Sequence, residues 1–231
     1  MTTCEIIDAL RGISVEYMGA AEGVVVSRAV WEYGKLPAGS DEKAKLERAV
    51  VEAAEKMKDR VCAVEGTEYP SAMILLYTAY NITADESFKS VITELEKSDT
   101  YMGLAFDMNY ETMFGGKERY HALTVEFAGL MDKSRESEMD EALFMLALVD
   151  TIAAIAEPVY ELYRSLVDMF RGELKKLVEG AWQREGRVPC GIPGEHADIF
   201  KDEKAQEVMS LALSKACELK VVLAEKYQAY I

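Results

Sequence analysis

Residues 142–156 read ALFMLALVDTIAAIA, and the fold class turns on this stretch. Apart from Asp150 and Thr151 every position is apolar or small, so a helix here has no hydrophilic stripe and belongs inside, buried on all faces. The run is longer than an ordinary strand, lacks period-two alternation, and is dominated by Ala, Leu and Met, which favour helix. Its upstream neighbour, residues 117–133, reads KERYHALTVEFAGLMDK. There Tyr120, Leu123, Phe127, Leu130 and Met131 make one stripe among polar positions.

The same two kinds of helix alternate along the chain. Ala20–Tyr33, Ser71–Tyr80 and Tyr101–Phe114 are apolar nearly all round, and Lys204–Leu223 is a less clear case. Asp41–Arg60, Ala84–Lys97 and Glu161–Glu179 are amphipathic; in Ala84–Lys97 the stripe is Phe88, Val91, Ile92 and Leu95. Short breaks separate them, such as Gly34 to Ser40, Ser98-Asp99 and Gly115-Gly116, so successive helices are expected to run antiparallel. The pattern predicts a single all-α domain over residues 1–231, with antiparallel helical hairpins in two layers, buried helices inside and amphipathic ones outside. A repeat runs through it. Asp85-Glu86-Ser87-Phe88 and Lys117-Glu118-Arg119-Tyr120 each open an outer helix, 32 residues apart, and Glu225-Lys226-Tyr227 echoes them. An irregular helical bundle is the other architecture that the pattern allows.

Charge and composition narrow the partners. With 26 basic and 41 acidic residues, the net charge of −15 repels nucleic acid and anionic membrane surfaces. A local pocket can still differ from the global field, so anionic small molecules stay open. No apolar run approaches the length needed to span a bilayer, and Met1–Ala20 carries acids where a signal peptide would be basic and then apolar. A soluble, cytoplasmic protein is the expectation. Cys4, Cys62, Cys190 and Cys217 form no close pair, and His121 and His196 are far apart, so neither a metal nor another cofactor is expected.

One region leaves the helical pattern. Gly180 to Phe200 holds four glycines, two prolines, Trp182 and His196, and reads either as a functional loop or as a surface excursion. Asp107 and Asp150 lie inside apolar helices, where a carboxylate is costly unless it is paired. Each either lines a pocket or sits at a helix flank.

Tyr69–Met145 resembles the unsaturated glycuronyl hydrolases, glycoside hydrolase families 88 and 105. The resemblance rests on Ile74-Leu75-Leu76-Tyr77 followed by Thr83-Ala84-Asp85-Glu86-Ser87-Phe88, against a "tGDEkY" helix opening. Asp99, Gly103 and Asn109-Tyr110-Glu111 follow. Gly116-Lys117-Glu118-Arg119-Tyr120 then stands against "GdeRY", and Met139-Asp140-Glu141-Ala142-Leu143-Phe144-Met145 against "W-x-D-G-L-Y-M". The resemblance implies a shortened or incomplete α/α toroid of six-hairpin type. It also implies hydration of the vinyl ether of an unsaturated uronic acid at an oligosaccharide end. That chemistry differs from two-carboxylate displacement and needs a carboxyl tuned to exchange protons in a dry pocket.

Carried over by position, the acid/base falls on Glu141, with Asp140 one residue earlier and Asp99 as the second carboxylate. Trp182 and His196 are the candidate sugar contacts, and an oligosaccharide or other small molecule is the implied ligand. The family's tryptophan is Met139 here, and its His-bearing, sugar-cradling motif has no counterpart between Met131 and Met139. A second reading follows from those departures: a non-catalytic descendant of the same fold that binds carbohydrate or protein. Each candidate also has a structural reading, because Asp99 suits a helix N-cap and Asp140 and Glu141 suit a helix first turn.

Overall fold

A computed structural model describes the chain except for residues 15–18, 64–70, 96–100, 132, 134, 156–159, 186–198 and 222–231. All regular structure among the described residues is helical, with ten α-helices, one 3₁₀ turn and no strand. No described helix is long and apolar enough to cross a membrane. The helices fall into two compact units, Met1–Met113 and Phe114–Ile231.

The first unit contains α1 (Thr3–Arg11), α2 (Ala20–Lys35), α3 (Asp41–Ala63), a 3₁₀ turn (Ser71–Met73), α4 (Ile74–Thr83), α5 (Glu86–Glu94) and α6 (Tyr101–Met113). Its centre is α4, where Ile74 to Ala79 are buried without interruption, and α2, α3, α5 and α6 all pack against it. The amphipathic α3 turns Leu46, Ala49, Val50, Ala53, Ala54 and Met57 inward, and α5 turns Phe88, Val91 and Ile92 inward. One helix is added here and one expectation changes. The N-terminal segment contains α1, started by a Thr2–Glu5 capping box and packed on α2 and α3 through Ile6, Ile7 and Leu10. Helix α2 buries Gly23, Val26, Ser27 and Ala29 but is not enclosed on all sides, because its arginine and acids keep one flank in water.

The second unit contains α7 (Tyr120–Met131), α8 (Glu138–Ala154), α9 (Tyr160–Glu185) and α10 (Glu203–Glu218). Helix α8 is its axis: Ala142 to Ile152 are all buried. It packs on α10 and α9, and its Phe144 meets Phe127 of α7 edge-on, ring centroids 5.6 Å apart. Helix α9 is the longest, and it carries the chain to Glu185, into the region where the Gly180–Phe200 excursion was expected to begin. Glycine tolerates a helix interior when tertiary packing supports it, so Gly180 alone does not end the helix.

The first two copies of the sequence repeat have a structural counterpart; the third, Glu225-Lys226-Tyr227, lies outside the described residues. Ala84 (φ 53°) and Gly116 (φ 72°) are both left-handed, each just before its repeated tetrapeptide, although in the second copy Lys117 (φ 70°) is left-handed too while Asp85 in the first is extended. Phe88 and Tyr120, the last residues of those tetrapeptides, are both fully buried. The turn thus re-aims the chain so that an aromatic one turn later enters the core. Ala84 caps α4 with a backbone N–H to the Tyr80 carbonyl at 2.7 Å, but its Cβ disfavours the left-handed conformation. Replacing Ala84 with Gly is expected to stabilise the protein by about 0.5–1 kcal/mol, read as a higher urea midpoint.

Within the second unit, Asp150 of α8 and Lys215 of α10 are joined by an ion pair, with side chains 6% and 4% exposed. A buried pair of this kind adds little relative to an apolar pair of the same shape, whereas a lone buried charge is costly. Lys215→Met alone is therefore expected to lose about 3–5 kcal/mol in urea unfolding, and Asp150→Leu combined with it to recover most of that loss. Equal losses in the single and double variants would argue that the pair is not the source.

Candidate functional site

The site is built at the N-terminal end of α8. Ser137 is the N-cap, its Oγ accepting the Asp140 backbone N–H at 3.1 Å, and Glu138, Asp140 and Glu141 crowd the first turn, where the helix dipole favours acids. Glu138 reaches outward: its Oε2 accepts the backbone N–H groups of Lys201 (2.7 Å) and Asp202 (2.9 Å) and so ties the start of α10 to the start of α8. Asp140 turns back, and its Oδ2 accepts the Glu136 N–H at 3.4 Å.

Glu141 turns the other way, toward Arg135. The guanidinium of Arg135, its side chain 7% exposed, lies over the Phe144 ring at 3.7 Å. Its Nη1 donates to the backbone carbonyls of Met131 (3.4 Å) and Lys133 (3.1 Å). Its Nε stands 3.3 Å from Glu141 Oε2, and its Nη2 stands 3.6 Å from Oε1 of Glu173 on α9. Neither nitrogen is aligned for a hydrogen bond, so these contacts are ion pairs held by charge and packing. Lys176, one turn along α9, closes the cluster at 3.1 Å from Glu173 Oε2.

Two carboxylates thus bracket one buried cation. Burial pushes the Glu141 carboxyl above its ordinary range; Arg135 pulls it down, and Glu173 and Asp140 push it up again. Desolvation outweighs the pull of Arg135, which is shared with a second acid, Glu173.

The other sequence candidates are more scattered. Asp99 and His196 lie outside the described residues, as does the side chain of Trp182, whose backbone is in α9. Asp150, read as a pocket or flank residue, is enclosed between α8 and α10 and paired with Lys215. Asp107 is buried on α6 in the first unit, one turn from the buried Glu111. Close by, the Tyr77 hydroxyl donates to the Phe106 carbonyl at 3.0 Å. Burial, with Asp107, Tyr110 and Glu111 nearby, raises the Tyr77 phenol well beyond its ordinary range, so it stays protonated and keeps this donor. Among the described residues no cluster of His, Cys, Asp and Glu is arranged to hold a metal ion.

Arg135 and Glu173 were not singled out from the sequence. Glu173 had a visible signal, because it falls on the apolar stripe of α9 with Leu166, Phe170 and Leu174. Arg135 had none; it sits in a polar connection and only the fold shows that it is buried. Compared with known proteins, the chain matches no family model, no curated protein and no solved structure.

Because folding raises the proton affinity of Glu141, this group stabilises the fold fully at acid pH and progressively less as pH rises through its raised folded value. Glu141→Gln is expected to flatten that limb when urea midpoints are compared across pH. Arg135→Met leaves Glu141 without its cation and Glu173 with Lys176 alone. It is expected to cost about 3–5 kcal/mol at neutral pH and less in acid, where the carboxyls can protonate.

Proposed function

We propose that the chain is a non-catalytic helical module of the unsaturated glycuronyl hydrolase type, which binds an oligosaccharide without hydrolysing it. The observation that carries this reading is the condition of the carboxyls on which hydrolysis would depend. Glu141 is engaged with Arg135, which Glu173 shares, and Asp140 with the Glu136 backbone; Asp99, the second carboxylate of the resemblance, lies outside the described residues. A general acid has to present its proton to a substrate atom within hydrogen-bond reach. Here the carboxyl that would do so is one side of a charge cluster that joins α8, α9 and the connection before them.

Support for the scaffold itself comes from the repeated left-handed turns at Ala84 and Gly116 and the buried aromatics that follow them. They stand where the family's repeated helix openings carry glycine and tyrosine. The shortened or incomplete hairpin toroid and the soluble, cytoplasmic setting belong to the same proposal.

A catalytic reading has one observation in its favour. The raised protonation range of the partly exposed Glu141 is the property a vinyl-ether hydration would require of its acid. One experiment separates the two. Purified protein is incubated with a panel of unsaturated uronyl disaccharides while the absorbance of the conjugated double bond is followed, with binding measured in parallel by calorimetry. Heat of binding with a flat absorbance trace is the expected result. Loss of absorbance that Glu141→Gln abolishes would replace the proposal with the catalytic reading. Neither heat nor turnover would remove the carbohydrate ligand from it.

A further inference from the structure

A groove in the first unit has a charge opposite to that of the whole protein. It lies between α1 and α3, with a volume of ≈ 470 Å³, within the range of about 300–1,000 Å³ typical of small-ligand sites. Its floor is Ile7, part of the apolar contact by which α1 packs on α3. Arg11 from the last turn of α1 and Lys45 and Arg48 from one face of α3 line it, against two acids, Asp8 and Glu52. Arg11 stands 3.7 Å from Glu52, and both side chains are more than half exposed, so that pair is weak. Among the described residues, neither Lys45 nor Arg48 has a carboxylate within ion-pair distance.

We propose that this groove binds a small multivalent anion, carrying a phosphate or several carboxylates, through Lys45, Arg48 and Arg11. The net charge of −15 does not prevent it. At physiological ionic strength the Debye length is about 8 Å, so distant acids are screened and the cations lining the groove dominate what an anion meets there. The apolar floor supports the body of an organic anion while the flexible cations close on its charged end. Arg11 changes partner in doing so: it leaves Glu52, to which it is loosely held, for the ligand. This inference concerns a different part of the chain from Glu141 and stands or falls independently of the oligosaccharide reading.

The test is calorimetric titration of the full chain with pyrophosphate and, separately, with citrate, using maltose as an uncharged control. Binding of either anion is expected, weakening roughly tenfold or more in a Lys45→Ala, Arg48→Ala variant and weakening with added salt. Glu52→Gln is expected to tighten binding by about two- to threefold, since it frees Arg11; a damaged fold cannot mimic that gain. All three positions are exposed, so the variants keep their stability. Pyrophosphate alone binding would assign the site to phosphates, and citrate alone to carboxylates. No heat with either anion up to about 10 mM, equal binding of maltose, or binding unchanged in the double variant would overturn the proposal.

Discussion

Between Ala142 and Ile152 helix α8 has no face that meets water, and the second unit is the arrangement of neighbours that this requires. From Ala142 to Ile152 every residue is buried, so α9, α10 and the Phe127 end of α7 must each cover part of its circumference. At about 1.5–3 kcal/mol for each large apolar side chain removed from water, this burial outweighs any single polar contact in the unit. The first unit has the same logic on a smaller scale, with α4 at the centre and the amphipathic α3 and α5 laid against it.

Burying a helix so completely creates a problem at each polar group it carries, and the structure answers each one locally. Asp150 meets Lys215 across the contact with α10. The Thr151 hydroxyl donates a hydrogen bond to the Ala147 carbonyl, one turn back. At the N-terminal end, where backbone N–H groups lack helical partners, Ser137 and the acids of the first turn gather. One of those acids is drawn under cover and needs Arg135. The charge cluster at Glu141 is thus a consequence of the burial of α8, which is why a structural account of Glu141 competes so directly with a catalytic one.

The first unit's groove has a different origin. Helix α1 is short and amphipathic, buries three apolar residues against α3, and leaves the polar residues on either side of that seam facing each other across open space. Their charges are unbalanced in favour of cations although the chain as a whole is strongly acidic. Nothing in the packing of α1 on α3 calls for that balance, because Ile6, Ile7 and Leu10 complete the contact.

Helical class, the two kinds of helix and most of their extents are readable in the sequence, because they depend on periodicity and on capping between residues three or four apart. Asp85, Ser87 and Phe88 announce the start of α5 in this way, and the structure has Asp85 capping that helix. Short α1 is not legible there because nine residues give little periodicity to read, and the apolar text of α2 conceals a flank that stays partly exposed. Partnerships between buried charges are decided only by tertiary structure. Lys215 and Asp150 are 65 residues apart, and Arg135, Glu141 and Glu173 come from a connection and two helices. Which acid meets which cation depends on how α8 is rotated against α9 and α10. That rotation is set by the summed packing of many apolar side chains, and no local pattern in the sequence records it.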